Sequence, residues 1–175
     1  MKTQRSFANL FHPPRPRRRG AASLWLGPLI LLLIENGAHA LPIDFSDRVE
    51  NALLCRSEWG TAFWEGYFNK SLSKPVRDWG DARWWTAQGA RLGGVTATEV
   101  FINIGDDRVL MLGALISQPV EQVKQTVEKT LGTRFQPVQA ADGVRYVNDS
   151  LSVLVGTTDG QTKWYCAKWN TGNKP

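Results

Sequence analysis

The residues that could carry acid–base chemistry in most of this chain are carboxylates, because both histidines, His12 and His39, lie within the first forty residues. Beyond that point the usual general base near neutral pH is missing, which excludes Ser-His-Asp and Cys-His catalysis. Histidine-ligated zinc, copper and haem sites are excluded for the same reason. The sequence therefore predicts no metal site and no cofactor. Any catalysis would have to use carboxylates, lysine or hydroxyl groups.

Glu58 and Glu65 form the candidate carboxylate pair. They are seven residues apart, so they would share one face if a single helix ran through both. Two acids beside aromatic residues are compatible with a glycosidase, which keeps a carboxylate-dependent glycan hydrolase as a less favoured alternative. A solvated helix edge is the simpler interpretation, and we predict no catalytic residue.

The strongest candidate for a binding site is the segment from Pro75 to Thr86, which interleaves three tryptophans with two arginines. Tryptophan and arginine dominate protein-interface hot spots because they bury large areas while keeping a polar group. The predicted binding residues are Arg77, Trp79, Arg83, Trp84 and Trp85. The opposing interpretation is that Trp84 and Trp85 straddle a strand and one of them packs inward. The neighbouring Asp78 is expected to pair with Arg77 or Arg83.

Two cysteines, Cys55 and Cys166, lie near opposite ends of the chain that follows the N-terminal segment. An even number of cysteines in an exported protein indicates a disulfide, and two buried free thiols are the alternative. Because the chain has no Cys-x-x-Cys motif, we expect a structural bond, which would tie the first helix to the last strand.

The first forty residues have the three parts of a secretory signal peptide. Six basic residues precede an apolar run of 11 residues (24–34), and the small-x-small triplet Ala38-His39-Ala40 follows. The run is too short for a transmembrane helix, which needs about 20 residues. The sequence therefore predicts cleavage after Ala40 and a single exported domain, residues 41–175, that is periplasmic or secreted. An uncleaved membrane anchor is the alternative.

The positive charge of the chain belongs to this N-terminal segment. It holds six of the 21 basic and one of the 16 acidic residues, which leaves 15 of each in residues 41–175. A neutral domain gives no support for a basic surface that binds nucleic acid or anionic lipid. We therefore predict no nucleic-acid partner and no integral membrane span after cleavage.

Hydrophobic periodicity predicts three helical segments and several strands. The helical segments are 44–59, 60–70 and 118–131, the last capped by Ser117 and ended by Gly132. A hairpin of 98–104 and 108–116 is followed by strands at 135–138, 144–147, 151–157 and 161–169, whereas 71–94 is expected to be irregular. The predicted fold class is α+β, with a mostly antiparallel sheet of about five or six strands and helices packed on one face.

Taken together, these features favour a non-enzymatic binding protein of the bacterial envelope whose partner is another protein, such as an inhibitor or an immunity-type factor. A glycan- or peptidoglycan-binding module is the first alternative, because exposed tryptophan rings also stack on sugars. A structural component of an envelope assembly is a further one. The favoured function follows from the missing histidine chemistry, the small size, the predicted disulfide and the Trp/Arg segment.

Overall fold

The computed structural model describes residues 40–105 and 108–169. The predicted signal peptide before Ala40 lies outside these residues. The elements within them are α1 (Phe45–Leu53), α2 (Thr61–Ser71), β1 (Arg77–Trp79), β2 (Ala82–Thr86), β3 (Arg91–Leu92), β4 (Val95–Asn103), β5 (Val109–Ile116), α3 (Val120–Leu131), β6 (Phe135–Ala140), β7 (Gly143–Asn148), β8 (Ser152–Gly156) and β9 (Thr162–Trp169). No helix in this part of the chain is long and apolar enough to span a membrane.

All the strand pairs are antiparallel, in the order β1-β2-β4-β5-β9-β8-β7-β6, with β3 beside β4. The α+β class and the antiparallel sheet are confirmed. The predicted number of strands is wrong, because the described residues contain nine rather than five or six. The prediction missed β1, β2 and β3. These strands have two to five residues each and lie between glycine turns, so they are too short to display a period of two.

One face of the sheet packs against the helices. Trp85, Val100, Ala114, Trp164 and Leu154 are paired neighbours across five strands, and each is fully buried. Their side chains belong to one core cluster with Val49 of α1, Phe68 of α2 and Val127 of α3. Successive residues of a strand point to opposite sides of the sheet. The strand residues that alternate with Trp85, Val100, Ala114, Trp164 and Leu154 therefore form a second face, which we call the open face.

The first helix is shorter than predicted and ends where the disulfide begins. Cys55 has φ of 59°, a left-handed conformation that does not continue a helix, so α1 ends at Leu53 instead of near Trp59. The second helical segment is confirmed as α2. The Cys55–Cys166 bond is present, with a Cα–Cα distance of 5.3 Å, and it joins the end of α1 to β9 as predicted.

The third helix begins differently from the prediction. Its N-cap is Pro119, with no side-chain capping bond, because Ser117 lies directly after β5 and outside the first turn. Thr162 on β9 instead donates a 2.7 Å hydrogen bond to the carbonyl of Gln118 and so fixes the approach to the helix. Gly132 ends α3 in the left-handed region, as predicted.

The edge strand β6 is protected against pairing with another chain. Pro137 in its centre has no amide proton, and the amide of Phe135 donates to Oε1 of Glu128 on α3 at 2.7 Å. Glu128 also pairs with Lys124 one turn earlier, at 3.2 Å. The carboxylate of Glu128, on α3, thus accepts a hydrogen bond from a backbone amide of the edge strand β6.

Replacing Glu128 with alanine is expected to lower the free energy of unfolding by about 1–3 kcal/mol, because the amide of the buried Phe135 loses its acceptor. Glu128→Gln keeps an acceptor oxygen, so it should cost less than half as much. Urea unfolding measures both effects. The exposed Lys129 on the same helix offers Lys129→Ala as the control, and equal losses in Glu128→Ala and Lys129→Ala would contradict this role.

Candidate functional site

The centre of the open face is a group of contacting aromatic rings on neighbouring strands. Trp84 pairs with Phe101 across β2 and β4, and their ring centroids are 4.4 Å apart. Trp79 on β1 lies 6.0 Å from Trp84. Phe101 in turn covers Gly113 of β5, where an added Cβ would collide with the ring. Glycine at this position therefore lets Phe101 lie flat on the sheet and support Trp84.

Two cations lie against these rings. Nζ of Lys163 on β9 lies 5.1 Å from the centroid of Trp79 and 5.8 Å from that of Trp84. The guanidinium of Arg77 lies 4.8 Å from the centroid of Trp84. All three distances are within the range of cation–π attraction. We call Arg77, Trp79, Trp84, Phe101 and Lys163 the aromatic–cation cluster.

Two grooves adjoin the cluster, and Trp79, Trp84 and Lys163 line both of them. The first, which we call the turn groove, has a volume of about 550 Å³ and lies toward the β8–β9 turn, residues 157–161. The second, the sheet groove, has about 370 Å³ and continues toward Met111 and Tyr165. Among the described residues, no helical side chain lines either groove, so the cluster is accessible from the open face.

The exposure of the two tryptophans shows how they divide their roles. The Trp79 side chain is 61% exposed, whereas Trp84 is only 3% exposed because its neighbours cover it. Trp79 can therefore bury a large apolar area on contact with a ligand. Trp84 acts as the platform on which Trp79, Arg77 and Lys163 are positioned.

The β8–β9 turn forms a rigid polar rim. The amide of Thr157 donates to the carbonyl of Gln161 at 2.8 Å, and the amide of Gln161 donates to the Thr157 hydroxyl at 3.1 Å. The Thr157 hydroxyl also contacts the Asp159 carboxylate, and this hydrogen bond is the main cause that lowers the pKa of Asp159. The positive charge of Lys163 contributes to the same shift.

Three of the five predicted binding residues, Arg77, Trp79 and Trp84, are brought together in this cluster. The register places Arg83 and Trp85 on the opposite, helix-covered face. Trp85 is fully buried, and its Nε1 donates to Oδ1 of Asn69 at 3.0 Å. Of the two interpretations of the Trp84–Trp85 pair, inward packing is thus observed for Trp85.

Arg83 connects the β1–β2 hairpin to α2. Its guanidinium forms ion pairs with Asp78, at 2.9 Å, and with Glu65 on α2. Hydrogen bonding to Arg83 lowers the pKa of the Asp78 carboxyl. The expected pairing of Asp78 with an arginine is confirmed, and these contacts give Arg83 a role in positioning β1.

The structure does not support the premise of the Glu58–Glu65 pair. The helix α2 begins at Thr61, so Glu58 precedes it and the two residues do not share one helix face. Glu65 forms an ion pair with Arg83, while Glu58 lies in a separate cleft of about 390 Å³ next to Trp59. The two carboxylates therefore line no common groove among those described.

The remaining described tryptophans divide between the core and the surface. Trp64 and Trp164 are fully buried, whereas Trp59 is 42% and Trp169 is 72% exposed. Trp59 lies in the loop before α2, and its ring centroid is 4.2 Å from that of Phe63. Trp169 pairs with Val109 at the far end of β9, away from the cluster.

Lys163 and Phe101 are the site residues that sequence reasoning missed. A signal for Lys163 was present in the chain, because Cys166 must face the core to reach the disulfide. The alternation of β9 then sends Trp164 inward and Lys163 outward. Phe101 was assigned to a strand, but its face could not be known without the register that pairs it with Trp84.

Comparison with known proteins returns no matching family model, no matching curated protein and no matching solved structure. The geometry of the open face is therefore the basis for proposing a function. Its features are an exposed indole, two cations held against aromatic rings, and two adjoining grooves.

Proposed function

We propose that this protein is a non-enzymatic, exported binding protein of the bacterial envelope, and that it binds another protein through the open face. The observation that carries the proposal is the exposed Trp79 ring beside Trp84 and Lys163, on a face that no described helix covers. Tryptophan that can be buried beside positively charged groups is the usual composition of an interface hot spot.

The apolar surface around the cluster favours a protein partner. Met111, Leu115 and Tyr165 are partly buried and pack against Trp84 and Phe101. Val153 and Val155 continue the same face on β8, because they pair with Tyr165 and Lys163. A protein interface of ordinary size covers about 800 Å² on each partner, which requires a surface that extends over several strands.

The rigidity of this surface fits an inhibitor or an immunity-type factor. The cluster spans β1, β2, β4 and β9 of one antiparallel sheet, and the disulfide fixes β9 from the opposite side at Cys166. A preorganised surface loses little conformational entropy on association, which favours tight binding to an equally rigid partner. The sequence adds two further supports, the predicted signal peptide and the absence of histidine from residues 41–175.

A glycan ligand is the second candidate, and the turn groove is the observation that favours it. There the exposed face of Trp79 lies opposite Thr158, Asp159 and Gln161, which offer both donors and acceptors of hydrogen bonds. A saccharide could stack on the indole and bond to this rim. A glycan would use the turn groove alone, whereas a protein partner would also cover the sheet groove.

Trp79→Ala is expected to weaken partner binding by about 30-fold, which corresponds to a hot-spot loss of about 2 kcal/mol. The full-length chain would be expressed for export and purified oxidised, then used to capture partners from envelope and secreted fractions. The affinity of the recovered protein for the wild type and for Trp79→Ala would then be measured by titration.

Trp169→Ala is the matched control, because Trp169 is an exposed tryptophan at the other end of the same face. Equal affinities of the two variants would contradict the assignment of the site. Retention on insoluble cell wall that depends on Trp79, with no protein recovered, would replace the protein partner by a glycan.

A further inference from the structure

Lys163 differs from the other cations that the strand register places on the open face. Arg77 is paired with the carboxylate of Glu99, and Arg145 with that of Asp142 at 2.9 Å. Lys163 forms neither an ion pair nor a hydrogen bond within residues 40–105 and 108–169. Its ammonium lies near the rings of Trp79 and Trp84, and its charge also acts on the carboxylate of Asp159. Its ammonium thus keeps three unused donors at the centre of the site.

The position of Lys163 makes these donors available to a ligand. It lines both the turn groove and the sheet groove, and its ammonium lies beside the rings of Trp79 and Trp84. The carboxylate of Asp159, at the rim of the turn groove, accepts a hydrogen bond from Thr157 and forms no ion pair with Lys163. A cation held against apolar rings binds an incoming anion more strongly than one fully surrounded by water.

We propose that Lys163 receives the carboxylate of a single aspartate or glutamate side chain presented by the protein partner. This inference rests on the proposed function and names the chemistry of its central contact. Charge complementarity selects the occupant, since Lys163 lines both grooves and has no ion-pair partner among the described residues. The acids Asp81 and Asp159 line the two ends, so a run of several acids would be repelled there.

The test uses two short peptides as probes, acetyl-Gly-Glu-Gly-amide and its glutamine counterpart. The full-length chain is expressed for export in ¹⁵N medium, and the indole Nε1–H signals of Trp79 and Trp84 are followed by NMR during titration. We expect the glutamate peptide to shift both signals and the glutamine peptide to shift neither. Lys163→Met, which keeps an apolar stem against the rings, should abolish the shifts.

Lys168→Met is the control, because Lys168 lies on the same strand but has the opposite parity and so faces away from the cluster. Its signals should shift as in the wild type. Equal shifts with both peptides, or shifts that survive Lys163→Met, would overturn the proposal. Shifts with N-acetylmuramic acid and none with the glutamate peptide would also overturn it, because the carboxylate would then come from a sugar.

The failure of this inference can be distinguished from the failure of the proposed function. With the recovered partner protein, we expect Lys163→Met to weaken binding about tenfold and to reduce its dependence on salt. If Trp79→Ala weakens binding while Lys163→Met does not, the open face still binds the partner but the carboxylate contact is wrong. If neither variant changes the affinity, the open face is not the interface.

Discussion

Breaking the Cys55–Cys166 bond is expected to lower the free energy of unfolding by about 4–5 kcal/mol. The bond closes a loop with a sequence separation of 111 residues, and the chain-entropy model assigns about 4.7 kcal/mol to a loop of 100 residues. A loss of this size is comparable with the whole stability of many small domains. Urea unfolding of the full-length chain, expressed for export and compared before and after reduction, measures it directly.

The comparison of oxidised and reduced protein removes no heavy atom from either side chain, so it tests the covalent link with little change in packing. The variant Cys55→Ala/Cys166→Ala adds the loss of the two sulfur atoms, of which Cys166 is 2% exposed. We expect the reduced wild type to be the more stable of the two unlinked forms. Oxidised and reduced proteins with the same unfolding midpoint would show that the bond contributes little to stability.

The disulfide also connects stability to the candidate site. Cys166 and Lys163 lie on the same strand and face opposite sides of the sheet. The bond therefore fixes the strand that carries the central cation of the cluster, without touching the cluster itself. After reduction, we expect β9 to unfold locally more readily than the β6–β7 hairpin. That hairpin lies farther from the bond, because β8 separates it from β9 in the strand order.

The longer elements could be predicted from the sequence, and the short ones could not. The α3 helix has an apolar stripe at helical spacing, and the strands from β4 to β9 are segments of five to nine residues separated by turns or by α3. Strands β1 to β3 have only two to five residues each. The positions of β2 and β3 depend on β4. Residues 99–103 of β4 pair with β2, and the first two residues of β4 pair with β3.

The candidate site was predicted in part, because the Trp/Arg segment was treated as one unit. On a strand, adjacent residues diverge, so Trp84 joined the open face while Arg83 and Trp85 joined the helix side. Composition could locate the segment, but only the register could divide it. The partners of Trp84 come from β4 and β9, which are distant in sequence, and no local pattern links them.

Trp84→Ala is expected to be the most damaging single substitution at the site, since it removes a ring that is 3% exposed from the centre of the cluster. Deleting a buried tryptophan typically costs about 3–5 kcal/mol, as the cavity cannot fully collapse over Phe101. Thermal and urea unfolding report this loss. Affinity for the recovered partner should fall further than in Trp79→Ala, because Arg77 and Lys163 both lose the ring that positions them.

A loss of affinity in Trp84→Ala could also reflect general destabilisation, so the control must destabilise the protein from the other face. Trp164→Phe does this, because it removes the buried 2.8 Å hydrogen bond from Nε1 to Ser152 on the helix side. We expect this control to lose stability while keeping the affinity of the wild type at temperatures where it is folded. Trp84→Phe should recover much of both quantities, since a smaller ring can still contact Phe101. If Trp164→Phe weakened binding as much as Trp84→Ala does, the loss of affinity would result from lower stability. The assignment of the binding site to the open face would then be wrong.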